Sequence, residues 1–125
     1  MNIHEEAFVK AFVVPDRQER FLGFVKSLKS RKKLIREFDH LKSGLLDPKF
    51  LVPLHGQASL WPNVLAALQK MGAPEKCWVM GGRFDGEEKE LMEAMENSGD
   101  GFVLSCIPGK LAYMKTEDEE YILRR

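Results

Sequence analysis

The spacing of apolar residues divides the chain into a helical front and a strand-rich back. Between Glu5 and Val13, the residues Ala7, Phe8, Ala11 and Phe12 share a helical face, while Val9, Val13 and Val14 favour extension. We read a short helix that ends before Pro15, because the residue preceding a proline avoids the α region. Pro15 and Asp16 then open a second helix in which Phe21, Phe24, Val25 and Leu28 follow the i, i+3, i+4, i+7 spacing of one buried face. Gly23 lies inside it, where glycine costs about 1 kcal/mol relative to alanine, so a close packing contact is expected there. A third periodic run has Leu34, Ile35, Phe38 and Leu41 apolar, with Ser30 available as N-cap and Ser43-Gly44 as its end.

Beyond Asp47-Pro48 the period changes. Phe50, Leu51, Val52 and Leu54 form a short continuous apolar run, the pattern of a strand covered on both faces. Leu60, Val64, Leu65, Leu68 and Met71 give a helical stripe stopped by Gly72 and Pro74, and Cys77 to Met80 form a second apolar strand. A helix is expected from Asp85 to about Asn97, with Asp85 as N-cap and Glu88 completing an approximate capping box. Residues 101–125 then read as three strands cut by the Pro108-Gly109 turn and the acidic turn Glu117 to Glu120.

This order predicts a single domain of the α/β type in its α+β variant: residues 1–45 mainly helical, and residues 49–125 a mixed α/β sheet. The sheet is expected to hold about five strands in the order β-α-β-α-β-β-β. Its first three strands would run parallel through right-handed crossovers, and it would close in a C-terminal antiparallel meander. Residues Tyr121 to Arg125 would form the exposed edge.

Composition adds bounds. A chain of 125 residues, 44% hydrophobic and 30% charged, matches an ordinary globular protein with one core. No apolar run approaches the ~20 residues that span a bilayer, and Met-Asn-Ile-His-Glu-Glu lacks the layout of a signal peptide, so a soluble cytoplasmic protein without membrane contact is expected. Cys77 and Cys106 sit in strand-like settings and read as reduced, buried thiols. The formal net charge is zero, but residues 1–62 hold 11 Lys+Arg against 7 Asp+Glu, and residues 63–125 hold 8 against 12, so the halves carry +4 and −4.

Candidate chemistry follows from the parallel sheet. Ligands of open α/β sheets bind beyond the carboxyl ends of parallel strands, where loops and helix N-termini converge. Those ends would carry Gln57 beside His55, then Gly81, Gly82 and Arg83, then Ser105 and Cys106. Such a rim suits a small anion or a carbonyl compound. Arg83 would act as a bidentate clamp, the Gly81 and Gly82 amides as donors, His55 as acid or base, and Cys106 as the remaining candidate for catalysis. Plainer roles compete: His55 as a loop residue bonding local backbone, Gly81-Gly82 as a turn that needs positive φ, Arg83 paired with Glu87, Glu88 or Glu90, and Cys106 as packing. His4, His40 and His55 lie far apart and the cysteines make no metal-binding pair, so no metal or cofactor is expected.

The cations Lys26, Lys29, Arg31, Lys32, Lys33 and Arg36 are the largest departure from an even surface. Of these, Lys29, Arg31, Lys32, Lys33 and Arg36 are the candidates for phosphate contact, although no stacking aromatic is interleaved with them. Three functions are therefore carried forward. The first is a binding or regulatory interaction module without chemistry, engaging a protein partner or forming a homodimer through a sheet edge. The second is a small enzyme or ligand binder at the rim, and the third a nucleic-acid-associated protein using helix 26–36.

Overall fold

The computed structural model describes residues 2–39, 45–99 and 101–125. Three helices open the chain: α1 (Ile3–Phe12), α2 (Pro15–Val25) and α3 (Leu28–Asp39). Asn2 caps α1 by accepting from the His4 amide, Pro15 starts α2 at its first turn, and the Ser27 hydroxyl accepts from the Ser30 amide at the start of α3. The second and third periodic runs, which read from sequence as a helical hairpin or one bent helix, are thus two separate helices. The inward residues expected at Leu34, Ile35 and Phe38, and the end expected at Leu41 and Ser43-Gly44, lie outside the described side chains or residues.

Strand β1 (Leu51–Pro53) follows, then α4 (Trp61–Lys70), β2 (Lys76–Gly81), β3 (Glu88–Glu90), α5 (Leu91–Asn97), β4 (Phe102–Ile107), β5 (Leu111–Lys115) and β6 (Glu120–Arg124). They build one six-stranded sheet in the order β1-β6-β5-β4-β2-β3, antiparallel at every pairing. The α+β class and the closing meander β4-β5-β6 agree with the expectation. The five-strand mixed sheet with three parallel neighbours does not.

One short strand accounts for the difference. The polar run Glu88-Lys89-Glu90, expected as the first turn of a long helix, instead pairs antiparallel with β2, with Lys76 opposite Glu90 and Trp78 opposite Glu88. That extra reversal changes the direction of everything after it, so β4 enters antiparallel to β2, and α5 shrinks to seven residues. Strands β1 and β2 do point the same way, but β6, β5 and β4 lie between them. The expected outer edge, Tyr121 to Arg125, is also corrected: β6 is flanked on both sides, by β5 and β1. The true edges, β1 and β3, are three residues each and β3 is wholly charged, which leaves little unpaired backbone to template an added strand.

The sheet is covered on both faces. Helices α1 and α2 lay Phe8, Phe12 and Phe21 against Met80, Val103, Met114 and Leu123. On the opposite face α4 and α5 bury Val64, Leu68, Leu91 and Ala94 against Val79, Leu104, Tyr113 and Ile122. Double coverage explains why five of the six residues of β4 are buried and why its sequence does not alternate. The Gly81-Gly82 turn after β2 requires glycine twice. Both residues have positive φ, and a Cβ would lie 2.5 Å from the Gly101 carbonyl oxygen at Gly81 and 2.7 Å from that of Ser98 at Gly82. Gly23 has no such reason, because nothing lies within 4 Å of where its Cβ would be.

Candidate functional site

The antiparallel topology disperses the expected rim. His55 and Gly81 lie at the same end of the sheet, but four inter-strand steps of ~4.8 Å separate β1 from β2, about 19 Å in all. No small ligand touches both ends of that span. Arg83 is exposed, its guanidinium 5.4 Å from the ring of its neighbour Phe84, and its amide donates to the Ser98 carbonyl. The expected pairing of Arg83 with Glu87, Glu88 or Glu90 is absent among the described residues; Lys89 takes Glu87 and Glu93 instead. Gln57 is exposed, and its carbonyl accepts from the Leu60 amide and from Asn63 Nδ2.

Ser105 and Cys106 point to opposite faces, as successive strand residues must. Cys106 is buried with Cys77 beneath α4 and α5. Burial raises both thiols, Cys77 to about 12 and Cys106 further still, with mutual repulsion adding to the rise at Cys106. Neither forms the thiolate that nucleophilic attack requires near neutral pH. Ser105, 1% exposed, faces α1, and its Oγ lies 2.8 Å from His4 Nδ1. Burial lowers the His4 pKa, opposed by Glu88 and Glu5, so the ring is held neutral.

Next to this pair is the main polar constellation of the fold, four side chains drawn from four elements of the chain. Glu5 of α1 is buried at 3% exposure. It receives Arg31 Nη1 and Nη2 at 2.5 Å each and the Trp78 indole N–H at 2.7 Å. Arg31 also donates from Nε and Nη2 to Asp85, both at 2.8 Å, and Asp85 accepts the Gly81 amide at 2.7 Å. Asp85, and after it Glu5, raise the guanidinium pKa above its ordinary range. One arginine thereby joins α1, α3, β2 and the β2–β3 loop through two bidentate pairs.

The sequence carries a trace of this clamp. Glu5 occupies the i position of the apolar stripe Phe8, Val9 and Phe12, where a carboxylate needs a buried partner. Arg31 likewise stands out of phase with the other cations of its helix. As chemistry the clamp is closed: every charged oxygen is satisfied, and none of the three clefts described next is lined by His4, Glu5, Arg31 or Ser105.

Open clefts lie elsewhere among the described residues, and three of them matter here. One of about 440 Å³ separates the His55 loop from the acidic β5–β6 turn, whose carboxylates are partly occupied: Tyr113 donates to Glu120 and Tyr121 to Glu119. A second, of about 380 Å³, lies between α4 and α5 beside Leu65, Pro74 and Met92. The third, of about 390 Å³, is basic and lies at the opposite end of the sheet from His55. No group of three or more His, Cys, Asp or Glu suited to hold a metal ion occurs among the described residues. No helix among them is long and apolar enough to cross a membrane.

Helix α3 presents a different kind of surface. Lys29, Lys32, Lys33 and Arg36 are all exposed, at helical spacings of three, four and seven that place them on one face. No ion pair ties any of them to a carboxylate among the described residues. Arg31, expected among the phosphate-contacting cations, points inward and is consumed by the clamp. Comparison of the chain with protein-family models, with curated proteins and with solved structures finds no match.

Proposed function

We propose that this chain is a binding module without chemistry of its own, and that it docks the cationic face of α3 on an acidic protein surface. The observation that carries this reading is the exposed stripe Lys29, Lys32, Lys33 and Arg36, unpaired among the described residues, on a helix whose inner side is fixed by Arg31. Anchoring by two bidentate pairs holds the helix in place before a partner arrives, which lowers the ordering cost of association. A row of like charges held against mutual repulsion has its natural complement in a row of carboxylates. The dispersal of His55, Arg83, Ser105 and Cys106 argues against a shared catalytic rim, and the three-residue edges argue against a homodimer formed by strand addition.

The test is an NMR titration of the ¹⁵N-labelled protein with a helical peptide bearing glutamates at i, i+3, i+4 and i+7. Saturable shifts confined to residues 29–36, weakened by salt and abolished by K32E/K33E, are expected. A peptide that leaves those amides unmoved at low salt, or that binds the double variant equally well, overturns the proposal. Tighter, salt-sensitive binding of duplex DNA to the same amides assigns the surface to nucleic acid instead.

A further inference from the structure

Three elements meet around the basic cleft. The end of α4 contributes Lys70 and the following Met71, the β4–β5 hairpin contributes Ile107, Lys110 and Leu111, and β6 contributes Arg124. Arg125 also borders the cleft but sends its guanidinium away, 5.0 Å from the Phe50 ring and 3.2 Å from the Ala11 carbonyl oxygen. No carboxylate side chain lines the space among the described residues, and Lys70, Lys110 and Arg124 make no ion pair there.

Ordinary structural roles do not account for this grouping. A lysine at a helix C-terminus can satisfy the last carbonyls. Here those of Ala67, Leu68 and Gln69 already accept from the amides of Met71, Gly72 and Ala73. A charged residue can guard a sheet edge, but β6 is an interior strand: Arg124 pairs with Leu111 of β5 and stands one residue past the β1 register, which stops at Leu123. The wall between the cations is apolar: Leu111 is buried, Ile107 is half-buried, and Met71 remains 37% exposed.

The geometry points to a binding site for a small amphipathic anion, a phosphomonoester carried on a short apolar body. A phosphomonoester bears about −1.5 to −2 charge near neutral pH, which matches three cations with no carboxylate side chain among them better than a single carboxylate does. The cleft volume falls in the lower part of the ~300–1,000 Å³ range of small-molecule sites. The phosphate would sit among Lys70, Lys110 and Arg124, and the alkyl or aryl part would lie along Met71 and Ile107. This site is independent of the α3 surface and does not rest on it.

The experiment is a ¹⁵N NMR titration with hexyl phosphate, with inorganic phosphate and hexanol as separate controls. Hexyl phosphate is expected to give saturable shifts at Met71, Lys110, Leu111 and Arg124, with affinity at least about tenfold above inorganic phosphate. K110E/R124E, both at exposed positions, is expected to lose that binding; Met71→Ser should bring hexyl phosphate toward inorganic phosphate, and K32E/K33E should bind as the parent does. Equal affinity for the two phosphates, no saturation by millimolar ligand, or unchanged binding by K110E/R124E overturns the proposal. Vesicles of phosphatidylcholine with and without phosphatidic acid identify the source. Sedimentation with the acidic vesicles that K110E/R124E abolishes points to a lipid headgroup, whereas hexyl phosphate binding without sedimentation points to a soluble monoester.

Discussion

Replacing Arg31 by methionine removes the clamp while keeping most of the side chain's volume. The side chains involved are mostly out of water, at 12% exposure for Arg31, 4% for Glu5 and 21% for Asp85. Glu5 would keep only the Trp78 indole, and Asp85 only the Gly81 amide. Removing one partner of such a buried pair costs about 3–5 kcal/mol, because the charge left behind stays buried without compensation. Against a total stability of about 5–15 kcal/mol this is a large share, and at roughly 4 °C per kcal/mol it lowers Tm by about 12–20 °C. Removing both charges is milder. In Glu5→Leu/Arg31→Met the unpaired groups are the Trp78 N–H and the partly exposed Asp85, so the loss should fall to about 1–3 kcal/mol. Arg31→Lys keeps the charge but cannot fork to two carboxylates, and should fall between these values. Urea denaturation followed by tryptophan fluorescence and circular dichroism, with the slope m unchanged, gives the three numbers. A cost below about 1 kcal/mol for Arg31→Met, or a double variant no more stable than that single one, would refute the reasoning.

Two glycines and one histidine give further outcomes. Gly23→Ala is expected to stabilise the protein by about 0.5–1 kcal/mol, since the site is an exposed helix interior with open space around it. Gly81→Ala is expected to destabilise it by several times that amount, because the new Cβ would meet a backbone oxygen in a positive-φ conformation. Thermal melts of the two variants should therefore move in opposite directions. For His4 the folded pKa is lowered, so the unfolded chain binds its proton first and the unfolded state gains as pH falls. The contribution is fully present above the ordinary histidine value of ~6.5 and is lost as pH drops through the lowered folded value. Urea melts at a series of pH values should show that slope in the parent and a flatter one in His4→Gln; equal slopes refute it.

Much of this architecture was legible from spacing alone, and the failures have identifiable causes. The helices α2 and α4 and the meander carry strong period signals backed by turn residues, and they stand where expected; the first segment, where Val9, Val13 and Val14 compete with the helical face, folds as the helix α1. Strand β3 is illegible because Glu-Lys-Glu has no apolar alternation: it is an edge strand, whose backbone pairs with β2. Without β3 the pattern points β4 the opposite way, and the expected ligand rim depends entirely on that direction. Counted along the chain, Arg31 falls among its neighbouring cations; counted around the helix, it does not. Its phase, seen beside the buried phase of Glu5, separates it from the exposed stripe of Lys29, Lys32, Lys33 and Arg36.

The sheet order also bears on the sequence of events during synthesis. Phe8, Phe12 and Phe21 emerge early, yet of their partners on the sheet, Val103, Met114 and Leu123 all come from the last quarter of the chain. At about 5–20 residues per second, the aromatic faces of α1 and α2 wait roughly 5–20 s for a surface to pack on. Strand β1 waits as well, because the strand that pairs with it, β6, is made after the other described strands. The segment that carries α1 and α2 is thus an apolar helical stretch without its platform, open to chaperones until residues 102–124 arrive and the central strands assemble beneath it.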